Sequence, residues 1–160
     1  MRGVLLERGD GMGQNSQVDV ALKEWLKQNN KTNEIYKNRL FARSQFYDAK
    51  QELEEIKGII TGLKTKKQDT LKELWKEHNQ PISEAEKKHI KERIDGFRQR
   101  YDERIDHLNG SKKVAEEIYD RQNKILEEAE AEFKKENAER DRLHKLFEEA
   151  KERQRKNNTP

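Results

Sequence analysis

The sequence predicts an all-α protein: an elongated antiparallel helical hairpin or coiled coil, with a three-helix bundle at one end and a short extra N-terminal helix. Three observations point there. Hydrophobic residues make up 31% of the 160 positions and charged residues 42%, whereas an ordinary globular domain is nearly half apolar and a quarter charged. Such a chain cannot build a thick core and must bury its apolar side chains in a narrow seam. Those side chains recur at alternating intervals of three and four, the period of packed helices. Helix-stopping signals are few and fall between the periodic segments.

Four of the eight glycines lie at positions 3, 9, 11 and 13, so residues 1–16 are expected to form a flexible glycine-rich leader. Ser16 and Asp19 resemble a helix start, and Val18, Leu22, Trp25 and Leu26 share one face of a short amphipathic helix over 17–28. Asn29-Asn30-Lys31-Thr32-Asn33 is expected to break it, with Thr32 capping the next helix. From Ile35 the seam runs through Ala42, Phe46, Ala49, Leu53, Ile56, Ile60, Leu63, Thr70 and Leu74, with a lapse at Lys67. The resulting helix, 33–78, would be roughly 70 Å long. Leu40, Phe41, Ile59, Leu71 and Trp75 widen the stripe and suggest more than one neighbour.

Pro81 ends that helix, because it restricts the residue before it and cannot continue the hydrogen-bond ladder. Ser83 and Glu86 form a capping box for the helix after it, whose seam is Ile90, Ile94, Phe97, Tyr101, Ile105 and Leu108. Asn109-Gly110-Ser111 reads as a second turn, with glycine at the left-handed position after a helix end. A last helix over 112–155 buries Val114/Ala115, Ile118/Tyr119, Gln122, Ile125/Leu126, Ala129, Phe133, Leu143, Leu146/Phe147 and Ala150. Its spacing slips between 134 and 142, where only Ala138 is apolar. Residues 17–155 thus form a single helical domain, and 156–160 a disordered tail. A continuous rod kinked at Pro81, with its hairpin tip at Gly110, is the alternative topology.

Composition excludes several functions. With no cysteine, disulfides, thiolate catalysis and Cys-ligated metals are ruled out. The longest apolar run, Val4-Leu5-Leu6, is too short for a membrane span or a signal-peptide core, so a soluble protein without a signal peptide is expected, with the cytoplasm favoured. A net charge of +3 gives no general attraction to nucleic acid. Lys64-Thr65-Lys66-Lys67 and the run 151–156 are better read as solvated helix faces with i,i+4 pairs. Glu86/His89 and Asp141/His144 have the spacing of helical metal ligands, but 32 acidic residues make such pairs expected by chance. Ser16, Ser83 and Ser111 sit where capping and turns explain them, and no nucleophile elbow or phosphate loop is present. No enzyme, cofactor or metal is therefore expected.

Arg8-Gly9-Asp10 resembles an integrin-recognition tripeptide. Gly9-Asp10-Gly11-Met12-Gly13-Gln14-Asn15-Ser16 is similar to the glycine-rich leaders of colicin-type bacteriocins. That resemblance implies a receptor-binding or translocation helical hairpin. Size, charge and helical character also resemble helical stalk proteins of secretion systems and phage scaffolding proteins.

The function expected from the residues is non-enzymatic: binding another protein, as an adaptor, stalk or inhibitor, or binding a second copy of the chain. A nucleic-acid-associated phage or mobile-element protein and the bacteriocin-like hairpin are the alternatives. Partner-binding surface is expected where apolar side chains exceed what one seam hides: Tyr36, Leu40 and Phe41, and separately Leu143 and Phe147. In solution, the pattern predicts a strongly helical circular-dichroism spectrum and an X-ray scattering envelope far longer than that of a 19.1 kDa sphere. A compact envelope would contradict it.

Overall fold

The structure is a computed structural model that describes the backbone of residues 2–159 and the side chains of residues 16–159. The leader expected over 1–16, with its Arg8-Gly9-Asp10 tripeptide, has all its side chains except that of Ser16 outside the described set. Two helices account for nearly the whole chain, α1 (Arg2–His78) and α2 (Glu84–Asn157). The described residues contain no strand. No helix among them is long and apolar enough to cross a membrane.

The chain divides into two compact units, residues 1–44 with 124–160 and residues 45–123. Each is an antiparallel pair of α1 and α2 segments. The second unit contains the connection, Asn79–Ser83. Its backbone hydrogen bonds are local: Asn79 N donates to Trp75 O at 3.0 Å, Gln80 N to Glu77 O and Ile82 N to Gln80 O. Ser83 then caps α2, its Oγ accepting from Glu86 N at 3.2 Å. Pro81 therefore makes a turn, and the kinked-rod alternative does not hold.

Two expected breaks do not occur. Residues 29–33 remain helical, so 17–28 is part of α1 and no separate N-terminal helix stands against it. Asn and Thr cost only tenths of a kcal/mol in a helix interior. Here Thr32 is fully buried, and its Oγ1 donates back to Gln28 O at 2.8 Å, the usual accommodation of threonine inside a helix. Residues 109–111 are also helical, which removes the third helix and with it the three-helix bundle. Gly110 has no left-handed φ, and Ser111 Oγ donates to His107 O within the same helix. Leu108, Lys112 and Ala115 keep one face of α2 covered. That continuity outweighs the roughly 1 kcal/mol a glycine costs there. At the C-terminus α2 continues to Asn157, and Asn158 N still donates to Gln154 O.

The covered residues of α1 repeat every seven positions without a lapse. In the first unit they are Val18, Ala21, Trp25, Gln28, Thr32, Ile35, Arg39 and Ala42; in the second, Phe46, Ala49, Leu53, Ile56, Ile60, Leu63, Lys67, Thr70 and Leu74. Lys67 fills the expected gap by reaching Asp102 of α2 in an ion pair. In α2 the step slips once, at Phe97, Tyr101 and Ile105, where two intervals of four follow each other. The slip expected at 134–142 is absent, because Glu136 and Arg140 hold the seam there while Ala138 faces solvent. Of the expected core, Ile60 and Ile94 are buried and Ile56, Phe97 and Ile118 half-buried. Ile125 is instead exposed, Leu126 having taken the seam position.

Gly58, Gly62, Gly96 and Gly110 all lie inside helices, and an added Cβ at any of them would meet no atom within 4 Å. Each replacement by alanine should raise stability by about 0.5–1 kcal/mol, read as a higher denaturation midpoint. Ile94→Ala, at a side chain with no exposed surface, should lower stability by on the order of 2–5 kcal/mol in the same assay.

Candidate interaction surface and polar layer

In the first unit a polar layer interrupts the apolar seam. Glu136, only 8% exposed, projects from α2 between the α1 residues Gln28 and Thr32. Gln28 Nε2 donates to its Oε2 at 2.6 Å and to its backbone oxygen at 3.2 Å. Thr32 Oγ1 reaches the same backbone oxygen at 3.3 Å. Lys31 Nζ lies 3.3 Å from Oε1. Next to the layer, Arg140 donates to Asn137 at 2.6 Å and Asn29 at 3.4 Å. The hydrogen bond from Gln28, followed by that and the charge of Lys31, holds the Glu136 carboxyl below its ordinary value against the opposing effect of desolvation.

Rings and guanidinium groups bracket this layer. Toward the chain ends Trp25 stacks on Phe147, with centroids 6.0 Å apart and planes 5° from parallel, and meets His144 at 4.9 Å. Toward residue 44, Arg39 lies 4.3 Å over the Phe133 ring and 5.5 Å from that of Tyr36. Its buried Nε has no hydrogen-bond partner. At 3.6 Å from Glu130 Oε2, Arg39 is held by charge and by the rings. Arg43 Nε donates to the other oxygen of Glu130 at 2.7 Å.

The expected partner-binding residues separate into two groups. Leu40 (44% exposed) and Phe41 (67%) are exposed on α1, and Tyr36 (43%) beside them is exposed on one side while its ring meets that of Phe133 on α2 at 5.6 Å. Leu143 and Phe147 are half-buried in the seam, where Trp25 covers one face of Phe147. The polar layer was not anticipated. Its signal was a glutamate at a seam position, 136, in step with Phe133 and Leu143.

Other candidate chemistry is dispersed. His144 Nε2 lies 3.6 Å from Glu148, and His89 lines an open cleft beside Ile82 and Ile90 near the turn. Among the described residues no group of three or more His, Asp or Glu is placed to hold a metal ion.

Glu136 gives the fold a pH dependence of definite sign. Its folded-state pKa is depressed, so its contribution is present above the ordinary glutamate value near 4.5 and is lost as pH falls through the lower folded value. Melting temperature should decline over that acidic range, and Glu136→Gln should flatten the decline. An unchanged acid limb in the variant would show that the layer does not contribute.

In comparison with known proteins, no family model, curated sequence or solved structure matches this chain.

Proposed function

We propose that the chain is a non-enzymatic helical coiled-coil protein that works by binding another protein, as an adaptor, stalk or inhibitor. The observation that carries this reading is the exposed cluster Tyr36, Leu40 and Phe41 on α1. Water-exposed leucine and phenylalanine side groups this close together gain free energy when a partner covers them, at about 25 cal/mol per Å² of apolar surface. The mixed-sign charges elsewhere must be desolvated before they bind. The seven-residue repeat of covered positions supports the coiled-coil part of the reading.

Leu40→Asp and Phe41→Asp test it in an affinity capture from source cells, with bound proteins identified by mass spectrometry. Both variants should lose the captured partner while keeping the helical signal and a melting temperature within a few degrees of the parent. Unaltered capture would overturn the assignment, and unfolding of both would place the cluster in the protein's own core.

A further inference from the structure

We infer that one flank of α1 in the first unit, beside the seam, pairs with the same flank of a second copy, α1 against α1 in antiparallel orientation. The inference rests on the protein-binding reading and names its partner. Positions 19, 22, 26, 29, 33, 36, 40 and 43 are spaced by alternating threes and fours, forming a second line with the seven-residue period. At about 100° per residue it is centred roughly 100° around the helix from the seam that α2 covers, the angle a helix at the corner of a four-helix arrangement needs. Leu26 (43% exposed) and Leu40 on this line are uncovered, and Tyr36 stays 43% exposed while its ring meets that of Phe133 on α2 at 5.6 Å. On that flank α2 presents Glu130 and Arg140, which bond to Arg43 and Asn29.

The line is complementary to itself when reversed. In an antiparallel pair centred on residue 31, Leu22 meets Leu40, Leu26 meets Tyr36 and Asn29 meets Asn33. At the outer ends Asp19, exposed, meets Arg43, whose side chain stays 42% exposed while its Nε holds Glu130. A two-fold contact requires this kind of match, since each patch faces its own reverse. Apolar groups meet apolar groups, amides meet amides, each able to donate and accept, and opposite charges close both ends. Parallel pairing would set Asp19 against Asp19 and Arg43 against Arg43. Charge therefore selects the antiparallel arrangement.

The full chain tests this in sedimentation equilibrium, where the parent should show about twice its 19.1 kDa mass. Leu40→Asp, which acts twice in a symmetric contact, should raise the dimer dissociation constant about 100-fold or more with the helical signal retained. Asp19→Lys changes an exposed residue and should weaken the dimer through repulsion from Arg43 even if Leu40→Asp perturbs folding. Because the chain has no cysteine, Leu26→Cys and Tyr36→Cys proteins give a clean orientation test: mixed and oxidised, they should cross-link to each other in preference to themselves. A parent that is monomeric at sub-millimolar concentration overturns self-pairing. If that monomer still captures another protein through Leu40, the protein-binding reading stands alone; if it captures nothing, both fail. A dimer insensitive to Leu40→Asp and Asp19→Lys, or one cross-linking 26 to 26, overturns the proposed face or orientation.

Discussion

A single stripe of covered residues, one in every three or four, must hold each pair of helices together. With hydrophobic residues at 31% of the chain, little apolar surface is left outside the stripe to compensate for a poor seam position. Alanine at 42, 49, 115 and 150 lets the two backbones approach, and the larger Ile60, Leu63, Ile94 and Ile105 fill the space between. Everything outside the stripe is free to be charged, which explains how a chain this polar folds. Ion pairs such as Glu139–Arg142 and Glu152–Arg155 sit on exposed surface and contribute little individually.

The polar layer is the costly exception. Burying Glu136 requires that its charge be answered from α1; Gln28 and Lys31 answer it at the carboxylate, while Thr32 reaches the backbone oxygen of the same residue. A slide of α2 by one heptad would bring Ala129 or Leu143 to that level and carry Glu136 away from all three partners. An apolar residue at 136 would fit more registers nearly as well. The layer thus discriminates among pairings that leucine and alanine alone would leave close in free energy.

Much of this was legible in the sequence. The all-α class, the turn at Pro81 with Ser83 capping α2, and the seam from Ile90 to Leu108 all derive from local chemistry that the structure retains. The two expected breaks fail for one cause. Asn29–Asn33 and Asn109–Ser111 carry turn-forming residues, but each costs a helix only about 1 kcal/mol or less per residue, and a facing helix on both sides of the break restores more than that. Lys67 and Glu136 looked like lapses because only apolar residues were counted in the stripe, whereas their charged ends find partners across it. For the surface cluster, excess apolar residues located Tyr36, Leu40 and Phe41. The same criterion could not separate them from Phe147, because which flank Trp25 covers depends on helix pairing rather than on composition.

The turn at 79–83 also orders events in time. Contacts across the pairs connect residues 35 positions apart at Lys67–Asp102, 87 at Arg43–Glu130 and 108 at Gln28–Glu136. Formed independently, the last would require closing the longest loop, but formed after the others it closes only a short increment. Loop-closure entropy therefore favours pairing outward from Pro81, each contact closing a smaller increment once its neighbour nearer the turn has formed. On that order the contacts of the polar layer, 108 positions apart in the chain, are the ones that gain most from pairing already made nearer Pro81 in sequence.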